Sequence, residues 1–257
     1  MTGKYSLFQM WEPYRQSLIA GHQFYVNQAR QRLLSQFDDI ETEADRASDE
    51  WLDKNSRHFN PEWQDEGDFY ESAVDAGIEF YQLLSEMRNR TCLSVVAGMY
   101  HEWDKRLRQW MVDQMRGWCS GKKFEMAVWR STLTDIADLI EPLGWDFRTA
   151  AYYSQLDACR LVVNVYKHGN GNSLALLNRK YPEYLHDPVA NLLGESYFDT
   201  LNHEHLAGSD DQLQAFSAAI EAFWRDIPAD LYAHEDAVIP EWLGKALDDG
   251  GQGGTNS

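Results

Sequence analysis

Residues Tyr152 to Gly171 read YYSQLDACRLVVNVYKHGNG, and the spacing of their apolar side chains decides the fold class. A helix advances about 100° per residue, so Leu156, Cys159, Val163 and Tyr166 stay within about 40° of Tyr152. Their steps alternate between four and three. Leu161, Val165 and Val162 fall at about 180°, 220° and 280°. Most of the circumference is therefore apolar, as on a helix buried from several sides. The helix is expected to start near Asp146, whose carboxylate can cap it. Gly169 and the Asn-Gly-Asn that follows should end it.

The same periodicity extends in both directions. Pro13 stands where a helix can begin, and an amphipathic run follows to about Asn55. Its later part, DDIETEADRASDEW, is strongly acidic and should face solvent. NPEWQDEGD (Asn60 to Asp68) reads as a loop. A long helical region runs from about Phe69 to Cys119, with a break expected near Asn89 to Leu93. SGKK is a turn, and a helix from about Phe124 to Glu141 is stopped by PLGW. A short helix over Ser173 to Arg179 is limited by Pro182. Tyr197 to Leu206 is ambiguous and admits a short strand pair. Asp211 to Asp226 is helical, with Phe216, Ile220 and Phe223 on one face. The expectation is an all-α, up-and-down bundle of long helices, one domain over residues 1–247 with an extended N-terminal helix. Residues 248–257 (DGGQGGTNS with Asp248) are too polar and glycine-rich to order.

Composition narrows the classes. The chain has 257 residues, 44% of them hydrophobic and ten of them Trp, enough to build a core without staples. No run of 18 apolar residues occurs, so no membrane span is expected. The N-terminus lacks the basic start and apolar stretch of a secretory signal. Three scattered Cys (Cys92, Cys119, Cys159) suit free thiols in a reducing cytoplasm. The net charge of −18 is unevenly spread. Gln36 to Glu86 holds 16 acidic and 3 basic residues, and Glu183 to Ser257 holds 15 and 2. Met87 to Lys123 carries 8 basic and 3 acidic residues, and Asp146 to Pro182 carries 5 and 2. Local potential decides where a phosphate or a basic partner docks.

One sector of the Tyr152–Gly171 helix is polar. Asp157, Arg160, Asn164, Lys167 and His168 fall between about 60° and 160°. Buried unpaired cations are costly, so these need partners or water. Three readings fit: the wet face of a mostly buried helix, an Asp157–Arg160 pair at i, i+3, or the lining of a cleft for a phosphodiester. Arg forks onto phosphate oxygens, and His moves protons near neutral pH.

An Arg, a polar residue and a His on a late helix of an all-helical protein resemble the HEPN superfamily, whose motif is Arg-x4-6-His. The stretch NVYKHGNGNSLALLNRKYPEYL is also similar to HEPN-like proteins with Asn-x-x-Lys-His-Gly. The resemblance is close over Asp157 to Leu185 and looser over Val96 to Met115 and Ala222 to Trp224. It implies a helical bundle and a metal-independent endoribonuclease or RNase-like effector of toxin–antitoxin or phage-defence type. The site would be shared across a homodimer formed through the motif helix. His168 would then move a proton at the RNA 2′-hydroxyl or leaving oxygen. Arg160 and Lys167 would stabilise phosphate charge, and Asn164 would orient His168 or the phosphate. Here seven residues separate Arg160 from His168, which sets them about 80° apart. Either the motif is extended, or Asn164 and His168 are the working pair with Arg160 beside them.

MYHEWDKRLRQWM (Met99 to Met111) places Met99, Trp103, Leu107 and Trp110 on a core stripe. His101, Asp104, Lys105 and Arg108 share another face. His101, Lys105 and Arg108 would extend a substrate cleft with Lys167 and Asp157, or form an ordinary salt-bridged surface. His203 and His205 could share one side of a strand, but no third zinc ligand accompanies them. No metal or cofactor is expected. His22 and His58 stand alone. No phosphate-binding glycine loop, nucleophile elbow or zinc-finger spacing occurs. A second reading of function is a non-catalytic helical interaction or regulatory, antitoxin-like module. Its acidic flanks would attract a basic protein partner and repel RNA.

Overall fold

The computed structural model describes residues 5–117, 122–186, 201–233 and 240–248. Strand β1 (Tyr5–Gln9) leads into α1 (Glu12–Arg32), a 3₁₀ turn (Leu34–Phe37) and α2 (Ile40–Asn55). Helix α3 (Glu66–Met115) is followed by α4 (Lys122–Arg130), α5 (Leu133–Ile140), α6 (Tyr153–His168) and α7 (Asn172–Lys180). Helix α8 (Asp210–Asp226), strand β2 (Asp230–Ala233) and α9 (Glu241–Asp248) complete the order. The protein is a mostly helical bundle with one small sheet.

The body forms around the second half of α3, where Trp103, Leu107, Trp110 and Met111 are buried. Phe223 of α8 is the aromatic hub. Its ring lies 5.1 Å from Trp103, 5.2 Å from Trp145 and 5.3 Å from Phe147, in tilted or edge-on geometry. Such pairs add specific contacts to the burial itself. Arg15 of α1 is buried and donates to the Trp224 and Arg225 carbonyls at 2.7 and 2.8 Å. It thereby satisfies acceptors that the end of α8 leaves open.

Helix α6 crosses this core largely as its periodicity demands. Leu156, Cys159, Leu161, Val162, Val163 and Val165 are buried, whereas Tyr166 is exposed. Asp146 caps a short 3₁₀ turn (Phe147–Thr149) by accepting from the Arg148 N–H, so α6 itself begins seven residues later. Gly169 ends the helix at φ 70°, a left-handed conformation that glycine adopts without steric cost. The Cys92 and Cys159 thiols are free and buried, and burial raises both pKa values, that of Cys92 to about 11. Cys119 lies outside the described residues.

Several expectations need correction. The N-terminal helix is interrupted between Arg32 and Ile40, where the chain turns back. Helix α3 is continuous through Asn89 to Leu93. The polar run there is a docking point: Asn89 donates to the Leu206 carbonyl at 3.0 Å and accepts from the Gly208 N–H at 2.6 Å. The expected Phe124–Glu141 helix is two helices. Thr132 and Asp135 form a reciprocal capping box that starts α5 afresh. The only named strand pair among the described residues is β1 with β2, antiparallel, with Phe8 opposite Leu231 and an irregularity between Ser6 and Phe8. His203–His205 is a 3₁₀ turn, and Leu206 makes one isolated bridge to Leu185. Residues 197–200, Ser120 and Gly121 of the expected turn, and the tail 249–257 lie outside the described residues.

At 50 residues, α3 spans about 75 Å. Before Cys92 it buries only Ala73 and Gly77. This first half pairs with α2 as a two-helix arm. Asp65 caps the start by accepting from Gly67 N–H at 2.7 Å. Phe69 packs in tilted geometry 4.8 Å from Phe59 and 5.1 Å from Trp51, closing the end of the hairpin. A Cβ on Gly77 would lie 2.1 Å from Ser48 Oγ and 3.0 Å from the Ala44 carbonyl oxygen. The close approach of the two helices therefore requires glycine here.

Candidate functional site

The polar strip of α6 is organised by Asp157. Its side chain is nearly sealed, 4% exposed, and accepts four hydrogen bonds. Arg160 Nη2 and Nε reach Oδ1 at 2.6 and 3.1 Å. Lys180 Nζ and the Tyr181 hydroxyl reach Oδ2 at 2.9 and 3.2 Å. Burial by itself would raise the carboxyl pKa. The bonds from Arg160 and Lys180 outweigh it and hold Asp157 below the ordinary aspartate value. Burial pushes the Tyr181 hydroxyl up to about 12, with Asp157 adding to the shift. This cluster fastens α7 and the following 3₁₀ turn (Pro182–Tyr184) to α6. The guanidinium of Arg160 is thus turned along its own helix onto a buried carboxylate.

The remaining members are dispersed. Asn164 is half-buried, and Lys167 and His168 are exposed at the end of α6. His168 has no hydrogen bond or ion pair among the described residues. His101 of α3 comes near Lys167. Burial lowers the His101 pKa, Lys167 and Lys105 lower it further, and Asp104 opposes them. Lys105 pairs with Glu102 at 2.7 Å. Arg108 is buried, forks onto Asp104 at 2.8 and 3.0 Å, and donates to the Val128 carbonyl at 2.6 Å and Ser131 Oγ at 3.1 Å. It serves the C-terminal end of α4 and holds no exposed donor fork. Of the expected cleft, the structure brings together His101 and Lys167 and leaves Arg108 and Arg160 in separate ion pairs. His203 and His205 engage Asn170 and Asn202. Among the described residues no group of three or more His, Cys, Asp or Glu is placed to hold a metal.

A different site lies on the arm. A groove of about 510 Å³ runs along the α2–α3 seam. Its apolar wall is Val74, Ile78 and Tyr81, which are 54%, 50% and 43% exposed. Its polar wall is Glu41, Asp45 and Asp49 of α2. These carboxylates stand at i, i+4 and i+8, on one helix face, and none forms an ion pair among the described residues. Tyr70 continues the apolar wall toward the start of α3. The sequence carries this pattern in the 4-4-3 spacing of Tyr70, Val74, Ile78 and Tyr81. The same spacing would serve a core-facing stripe, and only the three-dimensional arrangement leaves it uncovered.

No family model, curated protein or solved structure matches the chain. The expectations drawn from the resemblance (HEPN, ribonuclease, hydrolase, toxin–antitoxin, phage defence, RNA-binding and dimer), and the cytoplasmic one drawn from the cysteines, are corrected accordingly. With no matching family and with Arg160 committed to Asp157, what stands is an all-α helical bundle. No helix among the described residues is long and apolar enough to cross a membrane.

Proposed function

We propose that this chain is a non-catalytic helical interaction protein whose α2–α3 arm holds a basic protein partner. The observation that carries this reading is the groove itself: an exposed apolar wall facing three carboxylates that form no ion pair among the described residues. Large exposed apolar surface rimmed by polar groups is characteristic of a docking surface. The segment containing the arm, Gln36 to Glu86, holds 16 acidic and 3 basic residues. Its field attracts cationic chains and repels nucleic acid. The polar strip of α6 supports the same reading from the other side, since Arg160 is paired with Asp157 along its own helix, just as Arg108 of α3 is spent on Asp104 and the end of α4.

Fluorescence anisotropy with a labelled lysine-rich peptide tests it, comparing wild type with Glu41→Lys/Asp45→Lys/Asp49→Lys. All three positions border solvent and leave the helix–helix contact at Gly77 intact. Wild type should bind, more weakly as salt rises, and the triple variant should lose at least about tenfold in affinity. Equal binding by both proteins would remove the arm from the function.

A further inference from the structure

The partner's own conformation can be argued from the groove. Resting on the reading above, we infer that the segment held by the arm is a basic amphipathic α-helix. It lies along the α2–α3 seam as a third helix, its apolar face on Val74, Ile78 and Tyr81 and its Lys/Arg flank toward Glu41, Asp45 and Asp49.

Three observations lead there. First, both walls are helical. Neither offers a free row of backbone donors and acceptors, so strand addition has no template. A chain laid on an apolar wall must satisfy its own backbone groups, and a helix does so internally. Second, the two walls run side by side with helical periodicity. Tyr70 to Tyr81 covers about 17 Å, and Glu41 to Asp49 covers about 12 Å. Two to three turns of a docking helix match these lengths. Its apolar residues would recur every three to four positions, with cations along the adjoining edge. Third, the three carboxylates repel one another, and none of them is held in an ion pair among the described residues. Lys or Arg from the partner relieves that repulsion. A second copy of this arm would add like charge, which disfavours self-pairing on this face.

The test uses the whole chain and three labelled 18-residue peptides. One is amphipathic, of Leu, Ala and Lys with Leu at helical spacing and Lys on one flank. One has the same composition in an order that destroys the apolar face. One carries Glu in place of Lys. Anisotropy gives affinity, and circular dichroism gives the helix gained on mixing. The amphipathic basic peptide should bind at least about tenfold more tightly than its reordered form, with a gain in helicity. Val74→Ser/Ile78→Ser, at two exposed positions, should abolish that preference. Equal binding of the two basic peptides, or binding without helix gain, would overturn the helix inference while leaving the arm's taste for basic chains intact. Binding by neither basic peptide would sink both. Preference for the Glu peptide, or self-association that Val74→Ser/Ile78→Ser removes, would equally overturn it.

Discussion

Asp157 shows how one carboxylate turns an apparent reactive strip into a fastening. Arg160 and Lys180 are partly exposed, but the acceptor between them is sealed. Asp157→Asn removes the charge that justifies both cations, and should cost about 1–3 kcal/mol in urea unfolding. Arg160→Ala should destabilise in the same direction. Equal stability of wild type and both variants would contradict the role assigned here. The linkage has a definite sign. The Asp157 pKa is lowered in the folded protein, so its contribution is complete above the ordinary aspartate value. It is lost as pH falls through the lowered one. Wild type should therefore lose stability more steeply than Asp157→Asn over that acid range. His22 acts in a higher window. Burial lowers its pKa despite Glu221 and a bond to Ser217. Its neutral form belongs to the folded state, so its contribution is complete above the ordinary histidine value and declines as pH falls below it.

The arm places the next prediction at the level of elements. Gly77 lets α3 approach Ala44 and Ser48. Gly77→Val must push the two helices apart, at a cost of about 1–3 kcal/mol of local stability. Hydrogen exchange should quicken over α2 and the first half of α3 while the Trp110 region keeps its protection. Uniform loss across the molecule would show that the arm is not a separately yielding element. Elements differ in how plainly the sequence announces them. The end of α6 was readable because Gly169 alone fits a left-handed stop, and α8 because Phe216, Ile220 and Phe223 recur at helical spacing. The Thr132–Asp135 capping box was also present in the sequence, but the apolar run on either side masked it. The stretch from Asn89 to Leu93 suggested a break because sequence periodicity cannot tell a helix end from a helix that leaves the core. The β1–β2 pair joins segments more than 220 residues apart (Gln9 and Asp230, for example), a register that no local pattern encodes.

Across the whole molecule, charge and exposure divide the labour. Much of the acidic excess sits on an arm whose inner face is apolar and open, while the buried cations Arg15 and Arg108 close helix ends within the body. The sequence displayed the acidic block openly. It did not display the groove, because Tyr70, Val74, Ile78 and Tyr81 look like core residues, whereas the described residues leave all four exposed. The α6 strip is the reverse case: the spacing offered an Asp157–Arg160 pair as one of three readings, but nothing local showed that Lys180 and Tyr181 share the same carboxylate. Hydrogen-exchange mapping of the chain with and without the amphipathic basic peptide tests this division most directly. New protection should concentrate on Ile40–Asn55 and on α3 from Tyr70 to Tyr81, leaving the end of α6 unchanged. Protection centred on Lys167 and His168, with the arm unaltered, would contradict it.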